Sequence, residues 1–215
     1  GGIKQNIHLT DILTTQLLTA FQIHLGDPSS ESAHQAVTSK GFFTLEMIPS
    51  ALLSLMKESN QRFIGLQIGA QINERTLTAA EWAKWIEMSI QYSTDTSLIL
   101  MGGPDDIKKE KEILDLLPPH LEESTRIHSI VGRAAFDTWA SVVARCQWII
   151  AGDTAVLHLA SVLGTRVLFV AKENPKWIET GPYGNGHYVI TPSNEHQRIS
   201  PETIFHTWTY ASGEW

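Results

Sequence analysis

Three residues stand out for their chemistry in the stretch CQWIIAGDTAVLHLASVLGTRVLFVA, residues 146–171: Asp153, Thr154 and His158. They follow an apolar run of strand length, and a helical pattern begins at once after them. A helix start leaves its first backbone N–H groups without acceptors and carries the positive end of the helix dipole. Such a terminus attracts phosphate without a glycine-rich loop or a lysine. Thr154 is placed to cap this helix, and the amides of Ala155, Val156 and Leu157 would face the anion. The helix AVLHLASVL is apolar nearly all round, so it must be buried. His158 is then a polar group inside an apolar helix. Alone it would read as a core histidine bonded to a carbonyl; the acid five residues before it and the helix terminus between them favour a group serving the anion site one turn away.

The elements around this stretch set where it lies. RFIGLQIGA, SLILMGG, RIHSIVG, QWIIAG, TRVLFVA and HYVIT read as strands. Between them, TAAEWAKWIEMSIQ reads as a helix with Trp82, Trp85, Ile86 and Ile90 on one face. DDIKKEKEILDLL reads as a second helix, with Asp105 or Asp106 suited to its start. AAFDTWASVVARC is a third, with Phe136, Trp139, Ala140 and Val143 aligned. Strands alternating with helices imply an α/β fold: a Rossmann-like parallel sheet of about six strands with helices on both faces. Ligands of such sheets bind outside the carboxyl ends of the strands, where Asp153 falls. Residues 1–45 differ: DILTTQLLTAFQIHLG has helical spacing, DPSSESAHQAVTSKG is a polar loop, and LEMIPSALLSLMKES leads as a short helix into the regular part.

Composition narrows the function classes. The 215 residues suffice for a substantial core, and 42% hydrophobic content agrees. A net charge of -7 excludes a general nucleic-acid binder. One cysteine excludes a disulfide framework or a zinc cluster and fits a reducing compartment. Cys146 itself reads as a small core residue. No segment has the length of a membrane span, so a cytoplasmic protein with at most peripheral membrane association is expected. The histidines outside the central stretch (His8, His24, His34, His120, His128, His187, His196 and His206) show no metal-ligand spacing and read as surface or structural. Lys172, in the loop after the fifth strand, reads as a solvated lysine, with contact to a phosphate as the other reading.

The stretch GDTAVLHLASVLGTRVLFVAKENPKWIETGPYG resembles the signature of glycosyltransferase family 9, the ADP-heptose:lipopolysaccharide heptosyltransferases. Asp153, Thr154, His158, Leu159, Ala160, Gly164, Thr165, Pro175 and the run 180–184 fit the family pattern in order. Ala155 departs from it, standing where the family has glycine. Arg75, in NERTLTAAEW, takes the place of a lysine that meets the donor pyrophosphate, and arginine can do that bidentately. Leu77 and Thr78 replace the family's Trp-Pro. In LILMGGPDD, Asp106 takes the place of a glutamate that meets the donor ribose; a helix N-cap is the other reading of that acid.

The resemblance covers about residues 61–191 and implies the C-terminal half of a GT-B glycosyltransferase. On it, residues 1–45 are the tail of an N-terminal acceptor domain plus the interdomain linker, and 46–215 the nucleotide-sugar-binding domain. It implies a donor site of Arg75, Asp106, Asp153, Thr154, Ala155 and His158 for an ADP-sugar, with no metal and no cofactor. Transfer would be inverting, to a lipopolysaccharide-type or other glycan acceptor. The general base would lie in the acceptor domain, about a hundred residues or more, so no catalytic residue is named and these residues alone are expected to be inactive. Two alternatives stay open: a non-enzymatic sugar-nucleotide-binding or assembly module, and a GT-B sugar-nucleotide 2-epimerase.

Overall fold

The computed structural model describes residues 52, 56, 61–70, 75–122, 124–172, 177–192 and 198–213. The expected helix at 11–26 and the polar loop at 27–41 lie outside the described residues. Of the helix expected at 45–59, Leu52 and Met56 are described; both are helical and buried.

Along the chain run β1 (Arg62–Gln67), α1 (Ala79–Tyr92), β2 (Thr96–Met101), a short 3-10 turn (Pro104–Asp106), α2 (Ile107–Asp115), α3 (Pro119–Glu122), β3 (Ile127–Ser129), α4 (Phe136–Arg145), β4 (Trp148–Ala151), α5 (Ala155–Leu163), β5 (Arg166–Val170), α6 (Trp177–Thr180), β6 (Tyr188–Ile190) and α7 (Pro201–Ser212). All six strands are parallel, in the order β3-β2-β1-β4-β5-β6. The expected α/β class and strand count are therefore found. Because β4 pairs with β1 rather than β3, the order reverses between β1 and β4. Ligands of doubly wound sheets lie outside this switch point.

The strands are apolar on both faces because helices cover both. Alternate residues of the central strands point to opposite sides. Ile64, Leu66, Leu98, Leu100, Trp148 and Ile150 pack under α1, α2 and α7. Phe63, Ile99, Met101, Ile149 and Ala151 pack under α4 and α5, together with Leu52 and Met56. Helix α1 buries Trp82, Trp85, Ile86 and Ile90 as its spacing predicts. In α4 the expected face is only partly right: Ala140 and Val143 are buried, whereas Phe136 is exposed and Trp139 half-buried, the two rings 5.9 Å apart at the rim.

Local signals set the ends of these helices. Thr78 and Glu81 close a capping box on α1: the Glu81 amide donates to Thr78 Oγ1 (3.2 Å), and the Thr78 amide to Glu81 Oε2 (2.7 Å). Helix α5 stops at Gly164, whose φ of 72° would strain any other residue. Helix α7 is absent from the sequence reading above. It starts at Ser200 and Pro201, and its Trp208 meets Trp85 edge-on at 5.7 Å. Such an aromatic contact is worth about 0.5–1.5 kcal/mol beyond area burial, which fastens α7 across α1.

Candidate donor-binding site

Gln67 and Ala151 pair in register at the ends of β1 and β4, so the segments that follow them face each other. The Arg75 guanidinium donates from Nη1 to Asp153 Oδ2 at 2.7 Å. Asp153 is 13% exposed in its side chain and Arg75 35%, so the pair lies at the mouth of the crevice rather than in free solvent. The backbones are also in contact, since a Cβ on Gly152 would come within 2.0 Å of the Arg75 carbonyl oxygen. Glycine is required at 152 because the backbone of Arg75 and Thr76 lies directly on it.

Beside this pair, α5 begins. Thr154 has the extended backbone of an N-cap residue (φ −147°, ψ 162°), but its side chain makes no cap bond, contrary to expectation. Its hydroxyl is buried and has no partner among the described residues. The expected trio of free amides is also reduced, because the Leu157 amide donates to the Thr154 carbonyl at 3.1 Å. The amides of Ala155 and Val156 remain without an intrahelical acceptor, as the first residues of a helix must. Ala155 is exposed, so its methyl is not buried against the protein. His158 is 4% exposed and sits within the packed body of α5.

Asp106 approaches from the other side. It occupies the N-cap position of α2 but makes no side-chain cap bond there; what it caps is the start of the 3-10 turn before α2. Its Oδ2 accepts instead from the Gly103 amide at 2.8 Å. The carboxylate lies over two glycines: a Cβ on Gly69 or Gly102 would be 1.9 or 2.7 Å from that same oxygen. This brings the acid to the end of β1, next to the switch point.

Two cations of this region differ from the sequence reading: Lys172 is placed otherwise than expected, and Lys109 is not singled out by it. Lys172 is not a solvated loop lysine: its Nζ is 3.1 Å from Glu81 Oε2 and its side chain is 16% exposed. Burial alone would raise the Glu81 carboxyl, but the Thr78 amide and Lys172 together hold it below the ordinary value. Lys109 is half-buried on α2, three residues beyond Asp106. Burial pushes its ammonium down to about 8, against the pull of Asp106 and with the help of Lys172. The spacing from Asp106 is the only sequence signal that points to Lys109.

The tail of the motif, around Tyr183, has a supporting place. The Tyr183 amide donates to Ser161 Oγ of α5 at 3.0 Å. His187 accepts from the Val167 amide at Nδ1 (3.2 Å), so its Nε2 carries the proton and donates to the Tyr183 carbonyl (2.9 Å). That histidine is structural, as expected. Burial lowers the half-buried His128 and raises the thiol of Cys146, which lies in the core as expected. Among the described residues, no group of three His, Cys, Asp or Glu side chains is placed to hold a metal ion, and no helix is long and apolar enough to cross a membrane.

Residues 13–205 match the family model described as glycosyltransferase family 9 (heptosyltransferase). The chain belongs to this family. Among solved structures, E. coli ADP-heptose lipopolysaccharide heptosyltransferase II aligns with a TM-score of 0.62 at 17% identity, over 85% of this chain and 51% of that one. The E. coli heptosyltransferase WaaC with ADP-2-deoxy-2-fluoro heptose aligns at 0.60 and 15%, over 90% of this chain and 52% of that one. The Methanocaldococcus jannaschii UDP-GlcNAc 2-epimerase in complex with UDP-GlcNAc and UDP aligns at 0.53 and 13%, over 95% of this chain and 47% of that one. These family members and the epimerase share the GT-B type of fold, and the chain spans about half the length of each. Among curated proteins no match was found.

Proposed function

We propose that this chain is the donor-binding unit of a heptosyltransferase-like glycosyltransferase and holds a nucleoside diphosphate sugar, ADP-heptose, at the start of α5. The observation that carries the proposal is the meeting of Arg75 with Asp153 at the switch point, beside the amides of Ala155 and Val156, which have no acceptor within the helix. Arg75 and these amides meet the diphosphate. Asp106, held over Gly69, faces the ribose hydroxyls, and Asp153 meets a hydroxyl of the sugar. Thr154 supplies an unspent hydroxyl, and His158 supports the helix from within.

In the proposed reaction an acceptor hydroxyl oxygen attacks the anomeric carbon as the bond from that carbon to the diphosphate oxygen breaks. The bonding electrons leave with the diphosphate, and the hydroxyl proton goes to a general base that none of the residues named here provides. Charge growing on the leaving group is met by Arg75 and the α5 terminus, without a metal. The acceptor is a glycan of lipopolysaccharide type, reached from the cytoplasmic side, and transfer requires an acceptor domain in addition to these residues.

One observation favours a second reading, a sugar-nucleotide-binding module without transfer: the charge of Arg75 is already met by Asp153. Thermal unfolding tests the binding claim common to both. ADP should raise the midpoint more than adenosine does, because only ADP reaches the helix terminus. Equal shifts would remove the diphosphate site, and a larger shift with UDP would move the assignment to the epimerase-like alternative. Release of ADP from ADP-heptose in the presence of an acceptor glycan and an acceptor domain separates the transferase from the binding module.

A further inference from the structure

The backbone that carries Arg75 is pinned to three strands. Thr76 Oγ1 donates to the Ile68 carbonyl at 3.1 Å, which ties it to the end of β1. Gly152 lies against the Arg75 carbonyl and Asp153 takes the guanidinium, which tie it to β4. The third anchor comes from β5, two strands away from β1. Lys172, two residues beyond β5, reaches across to Glu81 at 3.1 Å and to within 3.5 Å of the Thr76 carbonyl oxygen. Glu81 is itself held in place, since the same Oε2 accepts the Thr78 amide of the α1 capping box.

We propose that Glu81 and Lys172 form a brace that positions Arg75 beside the α5 terminus. They are positioning residues: they act on the diphosphate through the Arg75 segment and do not touch the ligand. A guanidinium on a connecting segment binds an anion well only if its backbone is held where the anion will lie. Lys172 is spent on Glu81 and on the residue after Arg75, so its charge serves that purpose. The inference rests on the donor-site reading above.

The test is calorimetry with ADP on the parent, Lys172→Met, Lys172→Arg, Glu81→Gln, Arg75→Ala and the Lys172→Met/Arg75→Ala double variant. Glutamine keeps the second arm of the capping box while removing the charge, so Glu81→Gln separates the brace from the cap. Lys172→Met and Glu81→Gln should each weaken ADP about five- to tenfold, within the range for coupled neighbours. Lys172→Arg should restore affinity to about twofold of the parent, because it keeps the cation. In the Arg75→Ala background, Lys172→Met should add nothing. An equal loss with and without Arg75 would mean that Lys172 touches the phosphate directly, and the brace would be overturned. No loss in the parent background would overturn it as well. If ADP fails to bind the parent, or Arg75→Ala leaves binding unchanged, the donor-site reading fails instead. The brace is then decided without ligand, by urea unfolding of the same four proteins of the cycle. Non-additive stability losses support it, and additive losses overturn it.

Discussion

Arg75 Nη1 and Asp153 Oδ2 are 2.7 Å apart although 78 residues separate them in the chain. The contact joins the segments that follow β1 and β4 and gives the proposed diphosphate a competitor inside the protein. An incoming phosphate must share Arg75 with a carboxylate already in place, and two negative groups on one guanidinium repel each other.

The first prediction follows from that competition. Asp153→Asn should leave ADP affinity unchanged or raise it, because the guanidinium is released to the phosphate. The same variant should weaken ADP-heptose, since the proposed contact to a sugar hydroxyl loses its charge. Calorimetry on parent and variant with both ligands checks this. Equal weakening of both ligands would make Asp153 a structural partner of Arg75 only.

The two glycines of the crevice should differ in their tolerance of a methyl group. At Gly152 the added Cβ meets a backbone carbonyl at 2.0 Å, so Gly152→Ala forces the Arg75 segment away. It should cost about 1–3 kcal/mol of unfolding free energy, the range for overpacking. At Gly69 the neighbour is the end of the Asp106 side chain, which can rotate aside. Gly69→Ala should cost less, about 1 kcal/mol for the lost bond to the Gly103 amide. Urea unfolding ranks the two; the reverse order would contradict this packing.

His158→Ala should act on stability before it acts on ligand. The ring is 4% exposed within α5, and its removal leaves a hole beside an otherwise apolar helix. A loss of about 2–4 kcal/mol without ligand is expected from the cavity. A variant as stable as the parent but weaker toward ADP would show instead that the imidazole faces the crevice.

Lys109 predicts a pH dependence whose sign is unusual for a lysine near acids. Its folded value, about 8, lies below the ordinary 10.5 of the unfolded chain, chiefly through burial. Between those values the unfolded chain binds more protons, so this group makes stability rise with pH from about 8 to 10.5 and adds no slope below that window. At pH 7 the folded state carries a poorly solvated charge. Lys109→Met should therefore be more stable than the parent at neutral pH, by about 1 kcal/mol once solvent screening is allowed for. The difference should shrink as pH approaches 10. An advantage that is the same at both pH values, or a destabilised variant at pH 7, would contradict it.

The strands were legible because each is an apolar run of strand length between turn residues, a pattern that parallel sheets covered on both faces impose. Asp153 was legible for the same reason, as the first acid past such a run. The pairing of Asp153 with Arg75 was not, because it depends on β4 lying beside β1, and strand order leaves no local trace in sequence. Lys172 was misjudged for a related reason: its partner sits on α1, reached only after the sheet has brought β5 near β1. Thr154 shows a different limit, since a residue type favoured at helix starts can hold the N-cap backbone without making the cap bond. Helix α7 was missed although Ser200, Pro201 and Gly213 bracket it and Ile204, Phe205 and Trp208 have helical spacing.

The central claim is that Arg75 and the start of α5 hold a diphosphate. The most direct test is titration of ADP and adenosine into the parent and into Arg75→Ala, each at low and high salt. Arg75 supplies a whole charge, so its loss should cost ADP about 1.5–3 kcal/mol, the range for hydrogen bonds to charged groups. That is roughly a tenfold to hundredfold loss of affinity. Adenosine should be unaffected, and the cost to ADP should be smaller at high salt, where screening already weakens the contact. ADP and adenosine binding the parent equally well, with Arg75→Ala changing neither, would contradict the account.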